Sequence, residues 1–272
     1  MTRTFADLPL TSVVLSRDEV LAILHLMGIA TIPGLNDEPI PHVTPEQRAF
    51  GLIVAERALR ARGLAVINEE GRLLIQGPVL GLIGACAFPS QSLYVTRVAA
   101  PSGMPAQLIA HHREGAWMLH GQPETVIHAF QGPLDWSAVK DEIKSFGGWP
   151  DRVAEAPGTL TVANQTLASA RELAAQGRAD EARSALLAAD NAPEAVEYLL
   201  DILAHPHTVV VVQHVRPVSP DSIALQSVTI LYRDDKLLVA MESAEGDGQT
   251  GAITSVQPTS PDAIGRILDD LT

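Results

Sequence analysis

Apolar residues recur along this chain at two periods, and the switch between them marks the elements. Val20, Leu21, Ile23, Leu24 and Met27 form a stripe at helical spacing, with Ser16 and Glu19 in front and Gly28 behind. A serine that accepts from the third helical amide, with a glutamate there to return the bond, starts a helix, and glycine tolerates the left-handed turn that stops one. Thr44, Pro45 and Gln47 give a second start signal, for a helix to about Arg62 that Gly63 closes. Pro78 to Phe88 predicts a third helix and Trp136 to Phe146 a fourth. Between them, Ala30 to Val43 carries Pro33, Gly34, Pro39 and Pro41 and predicts a loop, and Asn68 to Gly71 predicts a turn. Short β-type runs at 12–15, 92–98, 107–113, 116–120 and 125–130 predict strands.

The same order then returns in shortened form. A β run at 159–162 precedes helices at 164–176, 179–189 and 193–204, strands near 208–215, 225–233, 236–242 and 252–257, and a helix from Ser260 and Pro261 to Leu271. The likeness extends to residues. Val79 to Val98 overlays Val196 to Val215 without a gap, matching Leu82 to Leu199, Ala87 to Ala204 and Pro89 to Pro206. Gln107 to His120 overlays Ser227 to Ala240, placing Arg113 on Arg233 and Glu114 on Asp234 in two strand–turn–strand units. A period of about 120 residues is too long for a solenoid and indicates two similar halves. The expected class is therefore α+β, with antiparallel meanders flanked by helical bundles and a pseudo-two-fold axis. The halves are placed at 1–150 and 151–272 around one shared core, joined by a Gly- and Pro-containing linker at 147–158.

Composition narrows the classes of function. The chain has 272 residues, 46 % of them hydrophobic and 19 % charged, which is globular and not disordered. Its longest apolar run, Val79 to Phe88, is far short of the roughly 20 residues that span a bilayer. No signal peptide is visible at the start, so the cytosol is expected. Net charge is −13 and uneven: residues 1–150 hold 14 acidic and 11 basic side chains, residues 151–272 hold 18 and 8. Such a surface repels polyanions and argues against a nucleic-acid partner. Three lysines among 19 basic residues, with abundant alanine, glycine and proline, match a GC-rich bacterial coding sequence.

Candidate chemistry is sparse. Cys86 stands alone among apolar neighbours and is expected to be a buried structural thiol. His111 and His112 are adjacent and point to opposite faces of a strand, so they cannot share a metal. His205, His207 and His214 come nearest to a ligand set but lack a carboxylate at matching spacing. Asp234 and Asp235 fall where a hairpin turn belongs. Leu173 to Ala189 resembles one tetratricopeptide unit, and without a second copy it reads as a plain helix-turn-helix. No cofactor, metal or catalytic residue is assigned.

Three phrases carry a family resemblance. Ala58 to Leu64 (ALRARGL), Leu82 to Val98 with Pro89 between helix and strand, and Val256 to Leu271 (VQPTSPDAIGRILDDL) resemble the EspG-type proteins of ESX (type VII) secretion systems, in the same order over nearly the full length. The resemblance implies a central antiparallel sheet from two related halves, and a cytosolic chaperone that binds the tip of PE/PPE substrate pairs. The Pro-rich loop at 30–43 and the phrase at 173–189 depart from that pattern.

The leading expectation is a non-enzymatic chaperone or adaptor that holds a helical protein client. Strand parity places its binding face in the C-terminal half: Gln213 shares a side with Val209, Val211 and Val215, and Thr229 with Leu225 and Leu231. Gln213, Thr229 and Leu231 are the expected partner-binding residues, unless the protein's own helices cover that face. The alternative is a winged-helix-like transcriptional regulator with a C-terminal sensing half. Residues 16–75 would then supply two helices, with Arg48, Arg57, Arg60 and Arg62, and a wing at Leu73 to Ile75.

Overall fold

The fold is described from a computed structural model, for residues 10–35, 44–100, 103–124, 126–153, 158–205, 207–219, 222–243 and 253–272. Residues 36–43 of the Pro-rich loop and 154–157 of the expected linker lie outside them. Two compact units emerge: residues 1–93, 107–139 and 216–223 form the first, and residues 94–106, 140–215 and 224–272 the second.

In the first unit, β1 (Thr11–Ser16) leads into α1 (Arg17–Met27), α2 (Pro45–Ala61), β2 (Ala65–Ile67), β3 (Leu73–Ile75) and α3 (Gly77–Ala87). The strands β4 (Gln91–Ala99), β5 (Ala106–Arg113), β6 (Ala116–Glu124) and β7 (Ile127–Leu134) follow along the chain, and then α4 (Trp136–Gly147); β4 from residue 94 and α4 from residue 140 are counted in the second unit. The capping boxes form as the sequence predicts: the Ser16 hydroxyl accepts from Glu19 N and the Thr44 hydroxyl from Gln47 N, each with the reciprocal bond. Gly28 stops α1 in the left-handed region at φ 68°. The strand order β1-β7-β6-β5-β4 brings the first strand back beside the last of the meander, Thr11 opposite Gly132. One core joins α1, α2 and α3 to Val13, Leu15, Met118 and Phe130 of the sheet.

The second unit carries β8 (Leu160–Ala163), α5 (Asn164–Ala175), α6 (Ala179–Leu187), α7 (Pro193–Leu203), β9 (Thr208–Ser219), β10 (Ser222–Arg233), β11 (Lys236–Ser243), β12 (Ile253–Pro258) and α8 (Pro261–Leu271), a similar order without the β2–β3 hairpin. Its strands run β8-β12-β11-β10-β9, again with the first beside the last. The hairpins correspond in register. Arg113 lies opposite Ala116 and Arg233 opposite Lys236, and the turn residues Glu114 and Asp234 both take left-handed backbone at φ 49° and 53°. The second core packs α5, α6 and α7 on Leu160, Val162, Leu238, Ala240 and Val256.

Three expectations need correction. The strands β9 and β10 run on to Ser219 and from Ser222, well past the predicted ends at 215 and 225, because Pro217 sits in an exposed extension where its missing N–H costs little. The hairpin of β2 and β3 contains a strand, Ala65–Ile67, too short for its alternation to register. Part of the expected linker is packed: Trp149 is buried, and the Gly147 carbonyl accepts a 2.7 Å bond from Tyr232 Oη. A Cβ on Gly147 would lie 2.1 Å from the Trp149 ring, which is why glycine stands there.

Cys86 lies within the first core at 0 % exposure, and burial pushes its thiol pKa up. The folded protein is expected to resist thiol reagents, reacting only as fast as it unfolds. Stoppered labelling with and without denaturant measures this, and rapid reaction of the native protein would contradict it.

Candidate functional site

The second unit leaves one sheet face partly open. Leu225, Ser227, Thr229 and Leu231 alternate along β10 toward one cavity, and Val209 and Gln213 of β9 join them. Across the strands, Thr229 lies opposite Ala240 and Ala240 opposite Val256, which forms the floor. The other face of β9, with Val210, Val212 and His214, is buried. Two helices overhang the open face. On α5, Asn164, Leu167, Ala168 and Arg171 fall at i, i+3, i+4 and i+7, hence on one side of the helix, and α7 adds Leu199 and Leu203. The enclosed volume is about 490 Å³, within the range of about 300–1,000 Å³ typical of ligand pockets.

All three residues expected from strand parity, Gln213, Thr229 and Leu231, line this cavity. They are half-buried, so the face is neither bare nor sealed by the protein's own helices. Leu231 also packs against the core, which makes it part of the scaffold as well as of the wall. Among the described residues, the side chains of Gln213, Ser227 and Thr229 make no hydrogen bond, whereas Thr254 donates to Asn164 Oδ1. The wall is thus mostly aliphatic, with three uncharged polar groups available to a ligand. Parity could not reveal the overhang of α5, because the sequence does not say which helix crosses which strand.

The first unit fills the corresponding region with its own atoms. There, Ile109 lies opposite His120 as Thr229 lies opposite Ala240. His120 stacks on Phe130 at 4.5 Å between ring centres and its Nε2 is 2.9 Å from His128 Nδ1. His111 stacks beside it at 6.1 Å and shares a 3.0 Å bond with Ser92 Oγ. All three rings are buried. The segment holding Ile32 and Leu35 closes over them, so tightly that a Cβ on Gly34 would sit 1.8 Å from Ile109 Cδ1. Desolvation lowers the pKa of His111 to about 3, of His120 to about 3 and of His128 to about 4, with Arg17 adding to the effect at His128. Sequence reasoning paired His111 only with His112 and missed this cluster. The signal was parity: 111, 120 and 128 share a face once the strands are in register.

The remaining candidates disperse. The Nδ1 atoms of His205 and His207 lie 2.8 Å from Asp201 O and 2.9 Å from His205 O, and His214 lies beside Gln226. Asp234 and Asp235 form the β10–β11 turn. The helix–helix–hairpin order that a winged helix needs is present, but Arg62 is committed, with Nη1 2.9 Å from both Glu19 oxygens and Nη2 on the Val14 carbonyl. The outer side of α2 exposes Phe50, Ile53 and Val54, which offer nothing to phosphates. Among the described residues, no helix is long and apolar enough to cross a membrane.

No protein-family model matches the chain, and no curated protein matches it. Among solved structures it is similar to EspG5, the type VII secretion system chaperone of Mycobacterium tuberculosis, in complex with a PE25–PPE41 dimer. The TM-score is 0.69 over 93 % of each chain, at 14 % sequence identity. The chain therefore has an EspG-like α+β fold.

Proposed function

We propose that this protein is a cytosolic, non-enzymatic chaperone or adaptor that holds the end of a helical protein client in the cavity of its C-terminal unit. A client of PE/PPE type is the leading candidate. The observation that carries the reading is the half-covered aliphatic face in which Gln213, Ser227 and Thr229 have no side-chain partner among the described residues. Apolar anchors entering such a face supply binding energy, and a few polar groups set register. The fold supports the same reading, since the similar EspG5 structure is a chaperone bound to a PE–PPE pair.

Co-expression with the PE–PPE pairs of the same genome tests it, read as co-elution of all three chains. Thr229→Arg places a long cation in the middle of the cavity and is expected to reduce capture at least tenfold. Because Thr229 is half-buried beside open volume, the thermal midpoint should move by no more than about 3 °C. Leu231→Arg is expected to cost stability as well, because Leu231 packs on the core. Full capture by Thr229→Arg, or no complex with any such pair, would overturn the proposal.

A further inference from the structure

We propose that the cavity selects an anionic segment: the client element it receives carries a carboxylate side chain beside its apolar anchor, and Arg171 pairs with that carboxylate. The inference rests on the docking reading above. Residues 151–272 are strongly acidic, yet among the described residues no aspartate or glutamate lines the cavity, and the charged wall residue there is Arg171. Several cations of this unit hold carboxylates: Arg178 holds Glu181, Arg183 holds Asp180 and Glu197, and Lys236 holds Asp201, whereas Arg152 and Arg266 hold none among the described residues. Arg171 has no hydrogen bond or ion pair among the described residues.

Its position matches that role. The cavity deepens from an exposed mouth, where Arg171 and Leu225 stand, to a floor at Val256, 1 % exposed, beneath the equally buried Leu199 of α7. A ligand lying with its apolar group on the floor brings a polar group three or four residues along a helix to the mouth. A guanidinium there binds a carboxylate through two parallel hydrogen bonds, a geometry that ammonium does not reproduce. A ligand with a cation in that place would face Arg171 directly.

Two probes isolate the charge: N-octanoyl-glutamate α-amide and N-octanoyl-glutamine α-amide differ only in the side-chain carboxylate. Calorimetry on the full chain at low salt is expected to show the glutamate probe binding about five-fold or more tightly. The preference should vanish in Arg171→Gln, persist weakly in Arg171→Lys, and shrink as salt is added. Equal affinities in the unaltered protein, a preference that survives Arg171→Gln, or no saturable binding of either probe would overturn the inference. Failure of the docking reading looks different. Capture that withstands Thr229→Arg sinks docking, whereas capture lost in Thr229→Arg but unchanged in Arg171→Gln leaves docking standing and removes the charge selection.

Discussion

Acidification from pH 6.5 to 4.5 is expected to strip the N-terminal unit of most of its stability. His111, His120 and His128 stay neutral in the fold because burial penalises the imidazolium, with pKa values of about 3, 3 and 4. In the unfolded chain each returns to about 6.5. Above pH 6.5 both states are neutral and the cluster contributes no pH dependence. Below it the unfolded state binds protons that the folded state refuses, so stability falls with pH until the folded values are reached. Each imidazole contributes about 1.4 kcal/mol per pH unit, and three together approach 4 kcal/mol per unit. Two units are then comparable to the about 5–15 kcal/mol that holds a typical domain. The groups facing the cluster do not offset this: Ser92 from β4 and Phe130 from β7 are neutral, the Pro33 carbonyl only partly favours the charged form of His120, and Arg17 from α1 repels it at His128. Denaturant midpoints measured from pH 7.5 to 4.5 give the number of protons taken up on unfolding. That number should be two to three, and one lower in His120→Phe, which keeps the stack on Phe130. A flat profile, or one that His120→Phe leaves unchanged, would show that these rings already accept protons in the folded state.

Gly34→Val is expected to destabilise the protein by about 3 kcal/mol or more. Two costs coincide at this position. The backbone is left-handed at φ 82°, which a β-branched residue adopts at a cost of about 1–2 kcal/mol. A Cβ would also press on Ile109 Cδ1 at 1.8 Å, and overpacking a tight core costs about 1–3 kcal/mol more. Gly115 separates the two effects. It has nearly the same backbone, φ 81°, but nothing within 4 Å of its Cβ position. Gly115→Val should therefore cost only the backbone part. Chemical denaturation of both variants measures the difference, and equal losses would mean that the loop over Ile109 yields freely.

The contrast between these glycines shows what was legible in the sequence and what was not. Both stand in turns that their neighbours announce, but only the register of β5 against β6 brings Ile109 and His120 beneath Gly34. The elements themselves were readable because their signals are local: Ser16 with Glu19 and Thr44 with Gln47 fix helix starts within four residues. The paired hairpins were readable for the same reason, through Arg113-Glu114 and Arg233-Asp234. Parity along single strands picked out Gln213, Thr229 and Leu231, since alternation is a property of one segment. The roof of the cavity was not readable, because Arg171 and Leu199 reach it through packing of α5 and α7 on the sheet. Trp149 was misread as linker because its Gly and Pro neighbours suggest solvent, while burial depends on what meets the ring.

Each unit pairs its first strand with its last, Thr11 with Gly132 and Val162 with Thr254. During synthesis β1 leaves the ribosome early and must wait for β7 before its edge is covered, and β8 waits in the same way for β12. The hairpins between them can close at once, so contact order is low inside each meander and high at its seam. The seam is thus the late step and the exposed edge the hazard, which a chain of this design meets twice in one translation. It also makes a strand transposition informative: moving residues 11–16 to follow β7 through a short turn would make the late closure a local one while keeping the antiparallel β1–β7 register.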